Sequence, residues 1–124
     1  MTPLTFDTGA LIALERNRQR MRAIVATARA DGLPILVPGA CVVEWWRRRT
    51  DVREAILKCV VVVHTNDALV RLAGEALAKV PTATPVDALV MATAARYGSV
   101  VFTSDTDDLF RLQRAFPAVR VLGA

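Results

Sequence analysis

The chain carries twelve acidic residues but one histidine and two cysteines, so side-chain chemistry falls first to carboxylates. Four acids stand where a routine role does not fully account for them. Asp7 directly follows the apolar run Leu4-Thr5-Phe6 and precedes Thr8-Gly9. Glu44 has Val42, Val43, Trp45 and Trp46 as neighbours, and enclosing a carboxylate costs several kcal/mol unless a cation or donors compensate it. Asp87 opens the stretch Val86 to Tyr97, which leaves little room for an exposed face. Asp105 begins a group with Asp107 and Asp108, three acids in four residues that repel one another.

Each also has a structural reading. Asp7 suits a helix N-cap or a turn. Glu44 can lie on an exposed stripe beside Arg47 or Arg48. Asp87 complements the positive end of a helix dipole, and one or two acids of the 105–108 group can cap a helix. The remaining acids serve as controls. Asp31 reads as a turn residue, Asp51 and Asp67 as helix starters, and Glu15, Glu54 and Glu75 as solvated.

Taken together, Asp7, Glu44, Asp87 and Asp105 describe a carboxylate cluster. Asp108, three residues after Asp105, points the same way if a helical turn forms between them, and Asp107 then faces solvent. Such a cluster needs a cation. Oxygen-only ligands without a His–Cys set favour Mg²⁺ or Mn²⁺, and such sites activate water and steady a phosphodiester during in-line attack.

The elements that must position these acids can be read from apolar runs and their periods. Strands are expected at Leu4–Phe6, Ile35–Val37, Val60–Val63, Val100–Phe102 and Val119–Val121. Helices are expected over about Gly9–Glu15 with Thr8 as N-cap, then on to Ala30, and from Pro38-Gly39 through Arg49. Further helices are expected over Asp51–Lys58, Asn66–Val80, Val86–Tyr97 and Asp107–Ala115. Val86–Tyr97 is apolar almost all round and should be central. Short apolar strands alternating with helices are the pattern of a parallel sheet with helices on both faces. Ligands bind such sheets at the carboxyl ends of strands, where Asp7 and Asp105 fall.

The 124 residues suffice for one domain with a buried core, and 53% hydrophobic against 23% charged residues is the composition of a globular chain. No apolar run approaches the ~20 residues that span a bilayer. No basic segment followed by an apolar stretch marks a secretory signal, so a cytoplasmic location is expected. Cys41 and Cys59, in apolar contexts, are expected as buried free thiols. The net charge of +4, with Arg supplying 14 of 16 basic residues, suits a phosphate backbone, an acidic partner or an ordinary solvated surface.

The chain resembles a PIN domain, and in particular the VapC-type toxins of bacterial toxin–antitoxin pairs. The resemblance rests on Leu4-Thr5-Phe6-Asp7-Thr8-Gly9-Ala10, on Val37-Pro38 followed by Val43-Glu44, on Pro85 through Ala94, and on Val101 through Leu109. It covers essentially all of residues 1–124. It implies an α/β fold, a PIN-like three-layer α/β/α sandwich with a short, mostly parallel sheet of about five strands. The family's acidic quartet falls on Asp7, Glu44, Asp87 and Asp105, with Asp108 as an additional acid and Thr103 as the hydroxyl before the fourth. The implied activity is a Mg²⁺- or Mn²⁺-dependent endoribonuclease. The implied assembly is a homodimer inhibited by a cognate antitoxin.

Other readings compete with this one. Asp7-Thr8-Gly9-Ala10 also matches the loop of retroviral-type aspartic proteases, but those are all-β. A receiver domain needs an acid where His64 stands, and a haloacid-dehalogenase-like phosphatase needs one at Gly9. A PIN-like scaffold that binds RNA or protein without cutting, and a nuclease acting on DNA, remain open. Trp45-Trp46 beside Arg47, Arg48 and Arg49 could stack bases, or could place one Trp in the core or a dimer interface.

Overall fold

In the computed structural model, which describes residues 2–124, five strands form one sheet in the order β3-β2-β1-β4-β5, every neighbouring pair parallel. The strands are β1 (Leu4–Phe6), β2 (Ile35–Pro38), β3 (Val61–Val63), β4 (Val100–Thr103) and β5 (Val121–Gly123). The helices are α1 (Thr8–Glu15), α2 (Gln19–Ala30), α3 (Gly39–Trp46), α4 (Asp51–Cys59), α5 (Asp67–Lys79), α6 (Pro85–Tyr97) and α7 (Thr106–Leu112).

From β1 the chain steps outward to β2 and β3, then returns across the sheet to β4 and β5. With right-handed crossovers, that reversal puts the first four helices on one face and the last three on the other. The packing agrees: α1 touches α2, α3 and α4, and α6 touches α5 and α7, while α3 also meets α6 across the two groups. The sheet is thus the middle of three layers.

Continuous apolar strands are what a sheet covered on both faces requires. Phe6, Ile35, Val37 and Val101 are fully buried, as are Leu11 and Met21 on one side and Leu69, Met91, Leu109 and Leu112 on the other. Each such side chain contributes roughly 1.5–3 kcal/mol by leaving water. Six of the seven residues of α6 from Ala88 to Ala94 are buried, Leu89 being the partly buried one, so this helix is central as its composition predicts. Gly98, in the left-handed conformation at φ 65, ends it.

The structure corrects several expected boundaries. Asp7, not Thr8, is the N-cap of α1. Helix α3 stops at Trp46 rather than Arg49, because the Arg53 guanidinium binds the carbonyls of Trp46 and Arg48, each at 2.9 Å, and Arg47 turns to φ 48. Helix α6 starts at Pro85, where the missing proline N–H costs nothing, with Thr84 as its cap. Helix α7 is shorter than expected. Strand β5 begins at Val121 instead of Val119, since Val121, Leu122 and Gly123 are the residues in register with Val101, Phe102 and Thr103.

Candidate active site

The sheet order reverses between β1 and β4, and a crevice opens beyond the carboxyl ends of strands at such a switch point. Asp7 is the first residue after β1, and Asp105 lies two residues after β4. The strands bring their ends together, with Phe6 in register with Phe102 and the Asp7 amide donating to the Phe102 carbonyl at 3.4 Å. Two acids nearly a hundred residues apart are therefore neighbours by topology.

Asp7 is buried, 8% exposed, and both carboxylate oxygens are engaged. Oδ1 accepts from the Ala10 amide at 2.8 Å as the cap of α1, and Oδ2 accepts from the Thr103 hydroxyl at 2.5 Å. Burial raises the Asp7 pKa above the ordinary aspartate value; the Thr103, Ala10 and Gly9 donors oppose the rise, and Asp105 adds to it. The capping and catalytic readings of Asp7 are thus compatible. One oxygen of the carboxylate starts the helix while the other ties it to Thr103 at the end of β4.

Glu44 is exposed rather than enclosed. Its Oε1 accepts from the Thr8 hydroxyl at 2.6 Å, and Arg47 donates to its backbone carbonyl rather than to its carboxylate. Asp87 lies in the first turn of α6, half-buried, next to the capping Thr84 hydroxyl. Burial again raises its pKa, the Thr84 hydroxyl lowers it, and the charges of Asp7, Asp108 and Glu44 push it further up.

Asp105 caps α7, accepting from the Asp108 amide at 3.4 Å, while its own amide donates to the Thr103 hydroxyl at 3.0 Å. Its carboxylate is largely open to solvent. Asp108 is half-buried and paired with Arg111 one turn on. Asp107 is exposed, as its place in the helical turn predicts.

Asp87 therefore lies within the field of Asp7, Glu44 and Asp108, and Asp7 within that of Asp105. All five acids of the sequence argument share one region. Among the described residues, however, no three His, Cys, Asp or Glu side chains converge tightly enough to hold a metal ion as they stand. Each acid is turned toward a local donor instead: Thr103, Thr8, Thr84, the Asp108 amide or Arg111.

Thr8 and Thr84 belong to the site, although only Thr103 was expected there. A threonine stands one to three residues from Asp7, Asp87 and Asp105 in the sequence, but Glu44 has none so near, and no local signal marks Thr8 as its partner 36 residues away. Cys41 sits beneath the site, buried near Asp7 and Glu44, and burial pushes its thiol up to about 12, so it remains protonated and inert. Both cysteines are free, but only Cys41 is buried as expected; Cys59, at the end of α4, is partly exposed. His64 is exposed.

One expectation around the site is corrected. Glu15 is not simply solvated: it binds the Arg53 guanidinium at 2.9 and 3.2 Å and the Trp45 indole N–H at 2.8 Å. Of the two readings of the tryptophan pair, the core one holds for Trp45, which is 2% exposed and packs edge-on against Trp46. The exposed apolar residue of α3 is Val43, 76% accessible.

Residues 4–115 match the family model of the PIN domain. No curated protein sequence matches the chain. Among solved structures, the chain is similar to VapBC2 from Rickettsia felis bound to a DNA fragment from their promoter, with a TM-score of 0.83 at 9% identity over 99% of both chains. It is also similar to DNA-bound VapBC from Salmonella typhimurium, with a TM-score of 0.71 at 16% identity over 99% of this chain and 98% of that one. A third match is VapBC-1 from nontypeable Haemophilus influenzae, with a TM-score of 0.65 at 15% identity over 98% of both chains.

Proposed function

The chain belongs to the PIN domain family, and from that premise we propose that it is a divalent-metal-dependent endoribonuclease, the toxin of a toxin–antitoxin pair. The observation that carries this reading is the gathering of five acids at the switch point, with burial and mutual charge raising the pKa of Asp7 and Asp87. A group of anions held together against repulsion is a site that a cation completes.

The donors fit a hard divalent ion by kind, being oxygen-only, anionic and clustered. Asp7, Glu44, Asp87, Asp105 and Asp108 are the residues that would hold Mg²⁺ or Mn²⁺. When bound, such an ion supplies an activated water and offsets charge on the phosphodiester. The protein supplies the placement. Asp7 is the fixed member, locked at both oxygens by Ala10 and Thr103. Thr103 ties Asp7 to the segment that carries Asp105. Glu44 and Asp105, both exposed, stand on the solvent side where substrate arrives. The surplus of arginine draws a polyanion toward a site that is itself negative.

RNA is the proposed substrate, and the whole chain acts as one unit in the cytoplasm. The likeness in fold to chains of toxin–antitoxin complexes supports a cognate antitoxin as partner. A homodimer is proposed as the assembly that the resemblance to VapC-type toxins implies. Among the described residues no helix is long and apolar enough to cross a membrane.

The test in cells is induced expression followed by mapping of RNA 5′ ends. New, discrete 5′-phosphate ends should follow induction of the wild-type chain and be absent with Asp7→Asn. Equal ends with both proteins, or none with either, would refute the nuclease reading. Loss of the ends on co-expression of the small protein encoded next to it would establish the antitoxin.

A further inference from the structure

We propose that Gly9 and Ser104 form a size-matched contact that sets the spacing between the two halves of the acidic site. Gly9 is the second residue of α1, two positions after Asp7, and Ser104 links Thr103 to Asp105. A Cβ on Gly9 would lie 2.0 Å from Ser104 Oγ, 3.1 Å from Ser104 Cβ and 3.3 Å from the Ser104 backbone nitrogen. No other glycine of the chain is approached so closely by the rest of the protein.

The glycine is not required by backbone conformation. Positive φ occurs at Gly32 and Gly98, whereas Gly9 is an ordinary helical residue. Alanine would by intrinsic propensity favour the helix there. Space is what excludes it. Rotating the Ser104 side chain relieves the contact with Oγ, but Cβ and the backbone nitrogen follow the main chain. That main chain is anchored: the Thr103 hydroxyl binds Asp7 at 2.5 Å and the Asp105 amide at 3.0 Å, and the Thr103 carbonyl accepts from the Ala124 amide at 2.7 Å. The segment after β4 is therefore drawn toward α1 by the Thr103–Asp7 bond and stopped by the Gly9–Ser104 contact. A larger residue at 9 must turn the Ser104 side chain aside and move the Ser104 main chain by a few tenths of an ångström, which pushes Asp105 outward or stretches that bond.

Gly9 and Ser104 touch no reacting atom. They are positioning residues, and their role rests on the nuclease reading of the acids they space. Displacement of a catalytic group by a fraction of an ångström to 1 Å is enough to cost one to two orders of magnitude in rate.

The experiment compares wild type, Gly9→Ala, Ser104→Gly and the double variant, with two readouts. The first is kcat and KM for RNA cleavage. Gly9→Ala should lower kcat about tenfold or more with KM little changed, and adding Ser104→Gly should recover most of the loss. The second needs neither metal nor activity: the amide NMR signals of Asp108 and Ala124, which report the bonds to the Asp105 carboxylate and the Thr103 carbonyl and are not neighbours of either substituted residue. They should shift in Gly9→Ala and return toward wild type in the double variant. If Gly9→Ala fails to fold, recovery of the fold by Ser104→Gly supports the contact equally. A Gly9→Ala protein with wild-type kcat and unshifted amides, or a double variant no better than Gly9→Ala, overturns it. Wild-type protein inactive on RNA would refute the nuclease reading, and the amide signals would still decide the contact.

Discussion

The Thr103 hydroxyl donates to Asp7 at 2.5 Å and accepts from the Asp105 amide at 3.0 Å, so one side chain joins the first and fourth acids of the site. Thr103 ends β4 and is fully buried. Removing its hydroxyl leaves the Asp7 oxygen and the Asp105 amide without their partner. Thr103→Val should therefore destabilise the protein by about 1–3 kcal/mol in urea unfolding and lower the cleavage rate by about 10²-fold. Thr103→Ser keeps the hydroxyl and should retain most of both. Thr103→Val at wild-type rate would show that the link is idle.

The raised pKa values make a pH prediction. A carboxyl whose folded pKa exceeds its unfolded value costs stability when ionised, and the cost grows as pH rises from the unfolded toward the folded value. Asp87 has this sign, from burial first and then from Asp7, Asp108 and Glu44. In metal-free buffer, the melting temperature of Asp87→Asn relative to wild type should climb once pH passes 3.8, the ordinary aspartate value, and level off above the raised folded one. A difference flat from pH 4 to 7 would place Asp87 outside the shared field.

Glu15 behaves in the opposite way. Its pKa is lowered, chiefly by the bond from Arg53, so its contribution is full above the ordinary value of 4.5 and fades as pH falls through the folded one. Arg53 also holds the carbonyls of Trp46 and Arg48. Arg53→Ala should thus cost about 1–3 kcal/mol in urea unfolding. The advantage of wild type over Glu15→Gln should shrink on acidification below pH 4.5. Equal stability of Arg53→Ala and wild type would remove Arg53 as the clamp on α3.

Much of this was legible in the sequence. The alternation of apolar runs and helical periods yields the parallel sheet, and the apolar Val86–Tyr97 segment is the central helix as expected. Asp7 and Asp105 at strand ends follow from the same pattern. Boundaries were less legible because they depend on distant partners. Helix α3 ends where Arg53 reaches back, and β5 starts where β4 offers register. Glu15 looked solvated because its partners, Trp45 and Arg53, are 30 and 38 residues away. Enclosure of Glu44 was inferred from apolar neighbours in sequence, yet in a helix those neighbours point to other sides. Three acids in four residues at 105–108 were expected to repel one another, but Asp105 is a helix cap and Asp108 is paired with Arg111; the raised pKa values fall on buried Asp7 and half-buried Asp87, from burial first and neighbouring charge after it.

The acids outside the site supply a control. Asp7→Asn, Glu44→Gln, Asp87→Asn and Asp105→Asn should each lower the cleavage rate by about 10²-fold or more. Asp108→Asn, which keeps an oxygen donor, should fall between. Asp51→Asn, which loses a bridge to Arg49 on the surface, and Glu75→Gln should be nearly neutral. Steady-state rates on one RNA decide the matter, and equal damage from the two groups would mean the site is misplaced.

The central claim is that the five acids form a cation-dependent RNA-cleaving site. The most direct measurement is cleavage of RNA, with single-stranded DNA of the same sequence alongside, by purified wild type and Asp7→Asn in EDTA and in millimolar Mg²⁺ or Mn²⁺. Wild type should cut RNA only with the divalent ion, recover when EDTA is replaced by it, and leave the DNA intact. Asp7→Asn should be inactive in every condition. Undiminished RNA cleavage in EDTA, or by Asp7→Asn, would contradict the account.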